Sequence, residues 1–131
     1  MDTSETYIKM CEKATEIQTS QQDMGFIHGD YYYEPASRNW DIIYDSHKSY
    51  VYGIPLCIWL PRQDQLQEML SLHNLWAKTL AFEFFLRKEG SYDIKSYAFQ
   101  FTSMEQLWLA FVMKEKYNKV WNGEDWVKEI E

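Results

Sequence analysis

A chain of 131 residues is long enough for one domain with its own hydrophobic core and short for two of ordinary size. Hydrophobic residues make up 46% of it, which excludes disorder as a global description. Twenty acidic side chains against thirteen basic ones give a formal charge of −7, which argues against direct binding of nucleic acid through phosphate attraction.

The start, Met1-Asp2-Thr3-Ser4-Glu5, is acidic and polar where a secretory signal is basic and then apolar. No apolar run reaches membrane-spanning length, and the two cysteines, Cys11 and Cys57, lack nearby mates. A cytoplasmic protein that engages no membrane is the expectation. Residues 3–20 read as one amphipathic helix. Tyr7, Ile8, Cys11, Ala14 and Ile17 follow helical spacing, and Lys9, Glu12, Lys13 and Glu16 take the other face. Asp2 with Glu5 reads as its capping box, and the polar run Gln18 to Asp23 as a loop or frayed end.

Residues 26–60 change character. Tyr31-Tyr32-Tyr33, Trp40 to Tyr44, Tyr50-Val51-Tyr52 and Leu56 to Leu60 are aromatic or β-branched runs broken by Gly, Asp, Ser and Pro. That pattern predicts an antiparallel meander of three or four strands. Pro61 is placed to open a helix, since its missing amide costs nothing at the first helical position. Leu66, Met69 and Leu70 would be its apolar stripe. Residues 74–88 predict a third helix with Leu75, Trp76, Leu80, Phe84 and Phe85 apolar, stopping at Gly90. Tyr92 to Phe101 reads as a short strand or loop.

The strongest signal lies at 102–117. Either Thr102 with Glu105 or Ser103 with Gln106 makes a capping box. Seven apolar residues, Leu107 to Met113, then run unbroken, as in a helix buried on most sides. Lys114 and Lys116 suit the negative end of the helix dipole, and Asn118 a left-handed cap. The tail carries Trp121, an Asn122-Gly123 turn, and Trp126, Val127 and Ile130 on an expected short helix from Glu124. The whole predicts a single α+β domain: an N-terminal helix, a small antiparallel sheet of three to four strands, then three to four helices with the 103–117 helix most buried.

Reactive constellations are scarce. His28-Gly29-Asp30 has the form of a kinase catalytic motif, but no phosphate loop or following Asn accompanies it, so it reads as a turn before a strand. His28, His47 and His73 have no ligand spacing with each other or with the cysteines, so no metal is expected. No dinucleotide, Walker or nucleophile-elbow pattern exists, and no cofactor is implied. The densest polar stretch is Arg62-Gln63-Asp64, a helix start directly after Trp59. It is a candidate binding site for a nucleotide or for a partner's backbone, set against the reading of a solvated helix face. Trp121 and Trp126 are candidate interface anchors, set against a tail packed on the core.

Three stretches carry a resemblance: Tyr7 to Gln18, Trp59 to Met69, and Glu105 to Tyr117 with Lys119, Trp121 and Trp126. They resemble small, functionally unassigned proteins encoded by phages and prophages of low-GC Gram-positive bacteria. The resemblance implies provenance and brings no catalytic residues. The aromatic share of 18%, the acidity and the absence of a reactive constellation lead to an expected function. It is a non-enzymatic accessory protein that binds a host or phage protein, as a homo-oligomer. A small-ligand binder or sponge for a nucleotide, in phage counter-defence, is the alternative.

Overall fold

The computed structural model describes residues 1–44, 57–71, 74–90 and 97–129. The architecture is α+β. In order the elements are α1 (Glu5–Lys13), α2 (Thr15–Met24), β1 (Tyr31–Glu34), β2 (Asn39–Ile42), β3 (Ile58–Leu60), α3 (Gln63–Glu68), α4 (Leu75–Gly90), a 3-10 turn (Tyr97–Gln100), α5 (Met104–Tyr117), β4 (Lys119–Trp121) and β5 (Trp126–Lys128). None of the described helices is long and apolar enough to cross a membrane.

α5 forms as its sequence dictates. Ser103 is the N-cap, its hydroxyl accepting from the Gln106 amide at 3.1 Å. Of the two capping pairs the structure selects Ser103 with Gln106. The Gln106 side chain turns back one residue further than in a simple box and accepts from the Thr102 amide at 3.1 Å. Asn118 closes the helix with φ 53° and ψ 43°. Trp108 to Met113 are all buried and Leu107 is half-buried. α1, α3 and β4 pack around this helix.

The N-terminal helix is two helices. Ala14, with ψ at 71°, breaks the chain between α1 and α2. Its amide still bonds back to Met10 and Cys11, while its carbonyl starts α2 by accepting from Ile17 and Gln18. The polar run Gln18 to Asp23 is helical, not a loop. Ser4 rather than Asp2 caps α1, accepting from the Tyr7 amide at 3.2 Å. Asp2 instead bridges to α5, accepting from the Ser103 hydroxyl at 2.5 Å and the Gln106 amide group at 2.8 Å.

The sheet is antiparallel with order β2-β1-β3, so β1 is central and the strands do not form the expected meander. Tyr31 and Tyr33 share a face with Trp40 and Ile42 on one side and Ile58 and Leu60 on the other. The expected strand at Tyr50-Val51-Tyr52 lies outside the described residues. So does the stretch 91–96, after which the chain makes a 3-10 turn rather than a strand. The tail differs outright. Where a helix was expected from Glu124, β4 and β5 form a two-stranded hairpin around the Asn122-Gly123 turn. The Asn122 side chain accepts from the amides of Glu124 and Asp125, and Gly123 takes φ 101°, which only glycine adopts cheaply.

Candidate functional site

β3 is buried at all three residues, and Pro61 beyond it is buried too. The Tyr7 hydroxyl donates to the Pro61 carbonyl at 2.6 Å, which pins the end of the strand to α1. The chain leaves the core at Arg62. This residue, extended in backbone, is the N-cap of α3; Pro61 lies before the helix and not at its first position. Its amide donates to the Gln65 side-chain oxygen at 2.8 Å.

The Arg62 guanidinium is engaged on two sides. Nε and Nη2 donate to the two oxygens of Asp64 at 3.0 and 3.3 Å, a bidentate pair. Nη1 donates to the Gly29 carbonyl at 2.6 Å and lies 3.9 Å from Asp30. The hydrogen bonds to Asp64 raise the Arg62 pKa above its ordinary value, and the same bonds hold the Asp64 carboxyl below its own. Asp30 is buried, with its carboxylate accepting from the Ile27 amide at 2.9 Å and from the Gln65 side chain at 2.6 Å. The corner thus ties the turn before β1 to the start of α3. A ligand anion that sought Arg62 would have to displace Asp64. Gln63 opens α3 half-buried. His28-Gly29-Asp30 is the turn before β1, as the sequence reads, with His28 exposed and the Asp30 amide donating to Ile27 at 3.0 Å.

The tryptophans lie elsewhere in their chemistry. Trp59 is buried, so it offers no open aromatic plane beside the Arg62 corner. Its backbone amide and carbonyl are both bonded at 2.9 Å by the Gln18 side chain, which covers the outer edge of β3. The Trp59 indole nitrogen has no acceptor among the described residues. Trp121 and Trp126 face each other across the β4–β5 pair, ring centroids 5.1 Å apart, and both are buried. The Trp126 indole donates to the Met10 carbonyl at 2.9 Å. Lys9 and Lys13 of α1 reach Glu124 and Asp125 in the hairpin turn at 2.5 and 3.6 Å. In the single chain these rings anchor the tail to the core rather than standing at an open interface. Arg62, Gln63 and Asp64 are therefore brought together at one corner, and the Trp121/Trp126 pair sits against α1.

No family model matches the chain, nor does any curated protein or solved structure.

Among the described residues no three His, Cys, Asp or Glu side chains converge as metal ligands. Burial pushes the Cys11 thiol well up and raises that of Cys57, so neither is poised as a thiolate.

Four of the five residues that the sequence reading marked as apolar on this helix lie at the surface. Leu75, Trp76, Leu80 and Phe84 of α4 are exposed at 71, 73, 44 and 69%. The opposite face of α4 is the packed one. Phe82 stacks on Trp108 at 4.2 Å and meets Phe111 edge-on at 5.3 Å, and Phe85 lies 5.1 Å from Phe111. Residues 76, 80 and 84 recur every fourth position and 82 and 85 fall on the far side, at about 100° per residue. A signal was present in the sequence: apolar residues occur all round α4, and one helix in contact with α5 can bury only one side of itself.

Proposed function

We propose that the chain acts by binding a protein partner, and that the recognition surface is the outer face of α4 rather than the Arg62 corner. The observation that supports this is the exposure of Trp76, Leu80 and Phe84 along one face of one helix. Taking ~150–250 Å² for a large apolar side chain, those three expose on the order of 300–450 Å². Patches of that size on a single chain are frequently functional. Asn74 caps this helix by accepting from the Ala77 amide at 2.8 Å, so the patch is presented on regular backbone. The resemblance to phage and prophage proteins adds provenance to this reading: an accessory protein whose partner is of host or phage origin.

A pull-down from host lysate that also holds an untagged copy of the chain tests it. Trp76→Asp with Phe84→Asp should abolish partner recovery, and Arg62→Ala should leave it intact. The reverse pattern would return the site to the α3 corner. The nucleotide reading depends on Arg62, whose donors are directed at Asp64 and Gly29. A thermal-shift screen with linear and cyclic nucleotides should be flat. A saturable gain near ~2.7 kcal/mol at one hundred times the dissociation constant would reinstate that reading.

A further inference from the structure

We infer that the occupant of the α4 face is a second copy of this chain, packed α4 on α4 in an antiparallel pair about a two-fold axis. The inference rests on the reading of α4 as a binding surface and names its partner.

Spacing is the first support. Trp76, Leu80, Phe84 and Arg87 lie along one face at intervals of four, four and three residues, spanning about 16 Å at ~1.5 Å per residue. Read against itself in the opposite direction, the row is self-complementary. Leu80 meets Phe84 of the second copy and Phe84 meets its Leu80. Trp76 at each end meets Arg87 of the other copy, a cation beside an aromatic face. A two-fold interface requires this property: one patch must fit its own reverse.

Charge is the second support. A chain of net charge −7 repels its own copy, so a self-association surface must be locally free of excess acid. Glu83 and Arg87 pair along α4 beside the apolar row at 2.7 Å and cancel. The α4 surface is therefore one where two acidic molecules approach without meeting like with like.

Area sets the scale of the contact. The apolar row exposes about 300–450 Å², roughly half of the ~800 Å² per partner of a standard interface, so its polar neighbours on α4 complete the contact and the dimer is a small one.

Sedimentation equilibrium of the full chain tests the inference. The unaltered protein should run as a dimer. Leu80→Asp and Phe84→Lys, each at an exposed position, should keep the far-ultraviolet circular dichroism and weaken dimerisation by roughly 30-fold or more, the loss of a hot-spot residue. Equimolar mixing of the two variants should restore a dimer. The antiparallel pairing sets the introduced aspartate of one variant against the introduced lysine of the other, and leaves Phe84 on Leu80 at the second contact. An unaltered protein that stays monomeric overturns the second copy as occupant, while the lysate experiment still decides whether α4 binds at all. A dimer that ignores both substitutions places the interface elsewhere and overturns the inference. Variants that are monomeric alone and remain so when mixed overturn the antiparallel register.

Discussion

α4 and α5 are two helices of similar apolar content with opposite fates. α5 is surrounded: α1, α3 and β4 pack around it, and six consecutive residues from Trp108 are buried. α4 meets α5 through the large rings of Phe82 and Phe85 on one side, and its other side carries Trp76 and Phe84 into solvent. Apolar composition thus says that a helix wants cover, and only the number of neighbours says how much it receives. Where cover runs out within the chain, the uncovered face is the natural place to seek a partner.

Substitutions should separate the two helices sharply. Phe111→Ala in α5 removes a fully buried ring that Phe82, Phe85 and Trp108 all touch. It should cost about 3–5 kcal/mol in urea unfolding, and a cost under ~1 kcal/mol would mean that α5 is not the core helix. Next in size, Ser103→Ala removes the α5 cap and a bond to Asp2, and should cost roughly 1–2 kcal/mol with an unchanged denaturant slope.

The acid limb sharpens the comparison from the N-terminus. Burial alone would raise the Asp2 pKa, but hydrogen bonds from Ser103, Ser4 and Gln106 outweigh it and hold the group below its ordinary value. A depressed carboxyl stabilises the fold fully above its unfolded value, and the contribution is lost as pH falls through the lower folded value. The melting temperature should therefore drop below about pH 4, and Asp2→Asn should flatten that drop while lowering stability at neutral pH by roughly 1 kcal/mol. Equal acid sensitivity in the variant would show that Asp2 does not tie the N-terminus to α5.

The smallest expected effect lies on α4. Phe84→Ala should change monomer stability by no more than about 0.5 kcal/mol, because its ring is mostly in water. The contrast with Phe111→Ala, two phenylalanines on adjacent helices, is the direct measure of the difference in cover. A costly Phe84→Ala in dilute solution would mean that this face is covered within the chain.

Legibility in the sequence followed the range of the forces involved. α5 was legible to the residue at Asn118 and to within one residue at its start, where Thr102 and Ser103 both stood as caps, because capping and left-handed closure are contacts within one turn. The turn at His28-Gly29-Asp30 and the tight turn at Asn122-Gly123 were legible for the same reason. The candidate site was legible only in part. The Arg62-Asp64 pair could be suspected from proximity in the chain, but the bond from Arg62 to the Gly29 carbonyl joins residues thirty-three apart and was not.

Local chemistry, then, set the caps, the turns, the α+β class and the depth of the 107–113 run. Tertiary packing decided the rest. The break at Ala14 has no local cause, since alanine is the best helix former. It exists where α2 must swing so that Gln18 can cover the edge of β3. The tail became a hairpin because pairing lets Trp121 and Trp126 both reach the core, with the Trp126 indole on Met10. The outward turn of Trp76, Leu80 and Phe84 was likewise a matter of how many elements surround α4, a count that no stretch of sequence contains.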